Sequence, residues 1–423
     1  MSNRPEASGR SFLFLQGPTN LLFAEIARQL RAQGHRTWRI NLCLGDRIFW
    51  RGPGARDYRG RVEDWPAFLG NFLQQHGVTD IVLLGEQRIY HRDAIALAHA
   101  RDIQVAVTDF GYIRPDWVIL ERDGLNTQSH FPRDPARVRQ LAAELPPISR
   151  TVLYRHNAFN QAIWDMAFHL STALWPWSYP HFRRHTLRHP VWTYLSTGWR
   201  LTQGLLRRRQ LARTLREVAA AKTYYLFAMQ MEDDFSLRAY SQYADLDTPM
   251  REALESFARY APRDAVLLFK VHPLDPGVKS WRRRINAMAA TAGVAERARY
   301  VDGGDLDTLV RGSAGVLTVN STVGLRSLEL SCPTIALGQA IYRMPGLAFD
   351  GPLDAFWTGA ARPDPSLVDD WLRLLAASLH VRGGMYERQA IEAAASGMAW
   401  RLHHRRLNQA LPEVLRGEVL HIR

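Results

Sequence analysis

Residues 315–325 read GVLTVNSTVGL. A short apolar run of strand type is broken by Asn320-Ser321-Thr322, and a helix-compatible stretch follows to residue 330. A strand giving way directly to a helix is the repeating unit of a parallel α/β sheet. Residues 265–273, AVLLFKVHP, carry a second strand, and Pro273 fixes the turn that stops it. Further strands are expected at 224–229, 299–301 and 334–337, with helices at 249–259, 281–292, 306–312 and 323–330 between them. Residues 219–350 therefore read as one Rossmann-like domain.

The same alternation fills the first 150 residues. Strands are expected at 12–15, 39–44, 80–84 and 103–108. Helices follow with Leu22, Ile26 and Leu30 on one face, then at 65–76 and 91–101. Residues 151–218 break the pattern, being helical, aromatic and basic and containing Pro176, Pro180 and Pro190. The stretch 351–423 reads as a helical tail. A chain of 423 residues exceeds what one hydrophobic core supports. The expected fold class is α/β: two Rossmann-like domains with parallel sheets facing a cleft, GT-B-like, plus the helical insertion.

Composition narrows the function classes. Hydrophobic residues at 46% and charged residues at 22% describe a folded globular chain. Cys43 and Cys332 fit no disulfide or metal-ligand spacing, which places the chain in a reducing compartment. The run 12–15 is too short for a signal-peptide core, and nothing approaches 18 uninterrupted apolar residues, so a cytoplasmic protein is expected. The formal charge is +13, and only Lys222, Lys270 and Lys279 among 54 basic residues are lysines. Residues 166–216 contain nine arginines, four tryptophans and no acid, so the excess charge is local. No nucleic-acid module accompanies it, and nucleic acid is not an expected partner.

Candidate chemistry lies at the strand ends, where open α/β sheets bind ligands. Lys270 and His272 alternate with the strand period, so both can face one ligand. An imidazole donor there would offset charge on a departing nucleotide phosphate. Asn320, Ser321 or Thr322 can cap the following helix, whose open amides form an anion site that Gly324 would let a ligand approach. Glu329 is a candidate for a ribose. In the first half the strand-end clusters are Gln16-Gly17-Pro18, then Gly85-Glu86-Gln87-Arg88 with His91 and Arg92, then residues 109–117. Asp109 is the leading base or nucleophile, with Glu86, Asp116 and Asp233 as substitutes. Arg88 and Arg114 suit a carboxylate through paired hydrogen bonds. Taken singly, each residue also fits a satisfied strand-end histidine, an ordinary capped helix or a loop ion pair. Neither a GxGxxG nor a GxxxxGK[ST] segment is present, so dinucleotide and P-loop chemistry are not expected. No acidic pair is placed for a metal.

These residues carry a family resemblance. The segments LFLQGP (13–18), GHR (34–36), RIN (39–41), GDRIF (45–49), GEQRIYHR (85–92), GYIRPDW (111–117) with Glu121, GLN (124–126) and PRD (132–134) resemble the KpsS/LipB capsule polysaccharide proteins, of the Kdo transferase kind. So do residues 230–234, KVHP (270–273), NSTVG (320–324), and Tyr342 with Gly346-Leu347. The resemblance implies a GT-B glycosyltransferase using CMP-Kdo, without further cofactor or metal, to start a poly-Kdo linker on a (lyso)phosphatidylglycerol-type lipid at the inner face of the inner membrane. It implies that His272-Pro273 and Ser321-Thr322 hold CMP; Lys270, Asn320, Gly324 and Glu329, read from the strand ends themselves, are assigned to the same donor. The family's acidic strand end falls on Asp109, where related members usually have glutamate; the second acid often found next is Phe110 here. Gln16, Gly17, Arg88, Arg114 and Asp116 are assigned to the substrate. In this scheme residues 1–150 are the acceptor-side domain, 151–218 a membrane-proximal segment, 219–350 the nucleotide-sugar domain and 351–423 the tail.

With an anionic lipid as acceptor, Trp175, Trp177, Trp192 and Trp199 resemble an interfacial belt, together with Tyr179 and Tyr194. Arginines 183, 184, 188, 200, 207, 208 and 209 are expected to attract headgroups, each worth on the order of 1 kcal/mol. Other capsule assembly proteins are possible partners. The alternatives are another CMP-sugar transferase of sialyltransferase type, or a non-catalytic export component.

Overall fold

The computed structural model describes residues 9–422 apart from 156, 185–189 and 233. Among the described residues twelve strands form two sheets. They are β1 Ser11–Phe14, β2 Arg36–Asn41, β3 Ala55–Asp57, β4 Asp80–Leu84, β5 Gln104–Phe110 and β6 Trp117–Arg122. Next come β7 Thr223–Ala228, β8 Ala265–Lys270, β9 Ala298–Val301, β10 Gly315–Thr318, β11 Thr334–Ala336 and β12 His380–Arg382. The chain divides into two compact units, one of residues 1–131, 141–185 and 372–423, the other of 132–140 and 186–371.

In the first unit the sheet order is β12-β6-β5-β4-β1-β2-β3. The five strands β1 to β5 are mutually parallel, and their order 3-2-1-4-5 is that of a Rossmann-like half. Both faces are covered, which is why β1 is buried at every position and apolar from Phe12 onward. Phe12 and Phe14 face a cluster with Leu22, Ile26, Leu30, Ala394 and Met398, while Leu13 and Leu15 face Trp65, Leu69, Phe72 and Ala94.

Two features depart from the expected strands. Residues 111–117 do not end the sheet: Gly111 N–H donates to Trp117 O at 3.0 Å, and β6 returns antiparallel to β5. The expected tail is divided as well. β12 pairs antiparallel with β6, and the helix Arg388–His403 packs on the helix Leu22–Ala32. That helix buries Ala393, Ala394, Ala395 and Ala399 on several sides, so it has no clean amphipathic stripe to announce its partner. The compact units therefore follow different boundaries from 1–150, 151–218, 219–350 and 351–423.

In the second unit all five strands are parallel, in the order β11-β10-β7-β8-β9, again 3-2-1-4-5 in chain order. All five strands expected between 224 and 337 are present. Phe227, Phe269 and Leu317 face the helices Asp247–Tyr260 and Trp281–Thr291, and Leu226, Leu268 and Val316 face the helix Arg208–Ala220 through Leu211, Leu215 and Val218. The α/β class, with two Rossmann-like units and predominantly parallel sheets, is thus what the chain adopts. Among the described residues no helix is long and apolar enough to cross a membrane.

Candidate active site

Each sheet has a crevice where its strand order reverses, at the carboxyl ends of the two strands that flank the reversal. In the second unit these are β7 and β10. Gln230, two residues past β7, and Asn320, two past β10, bond to each other across it. Gln230 Nε2 donates to Asn320 Oδ1 at 2.9 Å and Asn320 N–H to Gln230 Oε1 at 3.2 Å. Asn320 Nδ2 donates to Ser236 O at 2.8 Å. Asn320, buried and engaged at both ends of its amide, acts as a latch that sets the next residue.

That next residue is the helix cap. Ser321 Oγ accepts from Val323 N–H at 3.2 Å, resolving the choice among Asn320, Ser321 and Thr322 at the start of the helix Thr322–Glu329. Gly324 N–H is taken by Ser321 O at 3.0 Å. The Thr322 N–H has no protein acceptor among the described residues and remains for an anion at the positive end of the helix. Gly324 serves a different purpose from the open approach expected of it. A Cβ there would lie 2.1 Å from Tyr342 Oη, and Tyr342 donates to Ser321 O at 2.7 Å. The glycine seats the tyrosine that steadies the cap.

β8 lies beside β7 and ends in Lys270. Lys270 is buried, which pulls its pKa down, against support from Asp302 and Asp305. Two residues on, His272 Nδ1 accepts from Leu274 N–H at 3.1 Å. An acceptor nitrogen carries no proton in the neutral ring, so Nε2 holds the N–H. Burial moves the His272 pKa below its usual value, with Asp234 and Asp275 opposing, and the ring is a neutral donor at pH 7. Pro273 is exposed and its carbonyl points to Arg200 Nη1 at 2.8 Å. Arg200 also donates to His272 O at 3.3 Å, to Asp275 O, and to both carboxylate oxygens of Asp302. Expected to meet lipid, Arg200 instead holds the whole 272–275 turn, with its side chain 13% exposed. A lone arginine inside a basic run gives no local hint of that.

In the first unit the reversal lies between β1 and β4. Gln16, just past β1, accepts from Arg88 Nη1 at 2.9 Å and donates to Asp46 Oδ2 at 3.3 Å; Asp46 in turn pairs with Arg39 at 3.0 Å. This relay holds Arg88 in place, and the Asp109 and Asp46 carboxylates support its charge against burial. Gly17 packs under Phe23, whose ring a Cβ would meet at 2.5 Å. His91 Nδ1 lies 2.8 Å from Gly85 O; a carbonyl only accepts, so the proton sits on Nδ1 and the ring ties down the loop bearing Glu86. Burial drives that imidazole down to about 3, keeping it neutral.

Glu86 is the most unusual group on this edge. It is 3% exposed, and among the described residues neither carboxylate oxygen has a hydrogen-bond partner at normal geometry. Burial raises its pKa to about 7, nearby backbone N–H groups at Glu86 itself and Leu125 offset part of that, and Asp109 adds to it. Asp109 sits on β5 and accepts from Phe110 N–H at 2.7 Å. A third acid, Glu121 on β6, accepts from Ser129 Oγ and from His130 N–H at 3.1 Å; burial lifts it to about 8. Phe110 is not ionisable, and the acid whose charge acts on Glu86 here is Asp109. Among the described residues no group of three His, Cys, Asp or Glu side chains is placed to hold a metal ion.

Other expected site residues are committed elsewhere. Asp116 is buried and accepts from Arg382 Nη1 at 3.1 Å on both oxygens and from Leu153 N–H at 2.8 Å. Its carboxylate is thus committed to a buried ion pair. Replacing Asp116 with alanine is expected to cost about 3–5 kcal/mol by leaving Arg382 buried and unpaired, read by urea unfolding, with ligand affinity of the folded fraction unchanged. Glu329 closes the helix that Ser321 opens, roughly 10 Å along its axis, and pairs with Arg326 at 2.7 Å. Arg114 is exposed, its guanidinium 5.0 Å from the Phe110 ring centre. Asp233 and Arg188 lie outside the described residues.

The family described as capsule polysaccharide biosynthesis protein matches residues 79–386, more than half of the chain. The chain belongs to that family. The matched stretch contains Glu86, Arg88, Asp109, Arg200, His272 and Ser321. This family member is 28% identical over 384 residues to the capsule polysaccharide export protein KpsS of Escherichia coli, across 90% of this chain and 97% of the relative. It is 26% identical over 396 residues to the capsule polysaccharide modification protein LipB of Neisseria meningitidis serogroup B, across 90% and 93%. Among solved structures, Thermosulfurimonas dismutans KpsC, beta Kdo 2,7 transferase, aligns over 93% of this chain and 99% of its own, with 12% identity and a TM-score of 0.43.

Proposed function

We propose that this capsule polysaccharide biosynthesis protein is a glycosyltransferase that moves Kdo from CMP-Kdo to a (lyso)phosphatidylglycerol-type lipid, starting a poly-Kdo linker at the inner face of the inner membrane. The observation that carries the reading is the pairing, on one parallel sheet, of a neutral His272 whose Nε2–H has no acceptor among the described residues with a serine-capped helix start. Both suit a nucleotide monophosphate. Family membership and the export and modification proteins it resembles favour a capsule substrate.

In the transfer, the bond between the sugar anomeric carbon and the phosphate oxygen of CMP breaks, and its electron pair leaves with CMP. His272 Nε2–H and the amide of Thr322 stabilise that charge more as it develops than in the bound donor. Asp109 is assigned the nucleophile of a double displacement that retains configuration. Glu86, ionised above pH 7 and short of hydrogen bonds, takes the acceptor hydroxyl proton as the acceptor oxygen displaces Asp109 from the anomeric carbon, so the glycosidic bond forms as the covalent bond to Asp109 breaks. Arg88, oriented by Gln16, suits the donor's own carboxylate.

Purified protein incubated with CMP-Kdo and a lysophosphatidylglycerol analogue, with the product read by mass spectrometry, tests the reading. The expected product is the acceptor plus Kdo, with release of one CMP. Transfer from CMP-sialic acid in its place would move the assignment to another donor, and absence of transfer from either would reject it.

A further inference from the structure

The helix Pro190–Leu206 carries Trp192, Leu195, Trp199 and Leu206 at 70%, 60%, 68% and 79% exposure. Their spacings of three, four and seven residues place them on one helix face. The three residues that follow, Arg207, Arg208 and Arg209, are exposed, and no acid occurs anywhere in 166–216. Arg200, on the same helix, points instead to the His272 turn, where it binds three backbone carbonyls and the Asp302 carboxylate. A cavity of about 350 Å³, lined by Trp199, Arg200, Gln203 and Arg207 on one side and by Trp281 and Arg282 on another, opens beside these contacts. The helix thus meets the turn largely through the polar grip of one guanidinium.

We propose that this helix face docks on an anionic lipid surface and that Arg200 couples the docking to the shape of the His272–Asp275 turn. The occupant follows from the chemistry of the face: tryptophans and leucines for the acyl boundary, flanked by arginines with no acid to oppose them. Arginine suits the inner role because its planar fork serves several acceptors at once, which a lysine cannot. A helix settled on a membrane holds Arg200 in place, and with it the carbonyls that set the His272 ring. The proposal rests on the transferase reading for its meaning, but its test does not depend on turnover.

Full-length protein is floated with phosphatidylcholine vesicles with and without phosphatidylglycerol, and amide exchange over residues 272–275 is followed in the same samples. The wild type is expected to bind the anionic vesicles at least about tenfold better than the neutral ones and to gain protection over 272–275. The double variant Trp192→Glu/Trp199→Glu, altered only at exposed positions, is expected to lose vesicle binding and keep its unfolding midpoint. Arg200→Ala and the milder Arg200→Lys are expected to bind vesicles without gaining protection. Vesicle binding by the double variant equal to wild type overturns the docking face, as does a change in its oligomeric size with vesicle binding intact. Equal protection of 272–275 in wild type and both Arg200 variants overturns the coupling. Absence of CMP release with docking and coupling intact would reject the transferase reading alone.

Discussion

His272→Ala is expected to lower kcat/KM for a CMP-activated donor by about 10²–10³-fold, the usual loss of one oriented donor to a developing oxyanion. The unfolding midpoint should stay close to wild type. The side chain is half-buried, and the hydrogen bond it accepts at Nδ1 from Leu274 N–H belongs to a turn that Arg200 also holds. The tautomer gives a sharper test. Because Nδ1 accepts, the ring proton lies on Nε2, and glutamine places an amide N–H near that position. His272→Gln is therefore expected to retain more activity than His272→Ala, in kcat more than in KM. The measurement is CMP release at saturating and limiting donor. Equal activity of wild type and alanine variant would remove His272 from the phosphate.

Glu86→Gln is expected to lower kcat by about 10²–10⁴-fold and, at the same time, to stabilise the protein. Both follow from one buried carboxyl whose pKa rises from 4.5 to about 7. In the folded state the group holds its proton more tightly than when unfolded. Its contribution is fully favourable below about pH 4.5, declines as pH rises, and is lost above about pH 7. The penalty at pH 8 is on the order of 3 kcal/mol, and glutamine does not carry it. Thermal unfolding of the two proteins should coincide near pH 4 and diverge, with Glu86→Gln the more stable, through pH 7. The acid limb of the wild-type kcat/KM profile should fall near pH 7 and be absent in the variant's residual activity. A variant that is more stable yet fully active would leave Glu86 a buried acid without a catalytic role. One that is inactive and less stable would place its effect on the fold.

Much of this was legible from residue order. The strand-to-helix joints at KVHP and NSTVG stand at the carboxyl edge of one sheet because apolar runs of four to six residues, ended by Pro273 or by Asn320-Ser321, leave the chain little else to form. Five strands of the second unit fell where their apolar runs lie. β6 was harder, since WVILER follows a Gly-Tyr-Ile-Arg-Pro loop and nothing local says that the chain turns back antiparallel. β12, three residues long and almost 260 residues from its partner strand, carries no periodic signal of its own.

The site divides in the same way. Backbone chemistry such as a capping serine or a proline stop is written in neighbours one to three residues apart, and the linear chain therefore set the capped helix start and the turn after β8. Which side chains are free for a ligand depends on partners far along the chain. Asp116 was taken by Arg382, Asn320 by Gln230, and Gly324 by the Tyr342 ring, while Arg200 was drawn from the basic run to the His272 turn. Glu86 became the poised acid because folding stripped it of water and set it near Asp109. Burial and long-range pairing act through distances in space, and only the folded chain defines those.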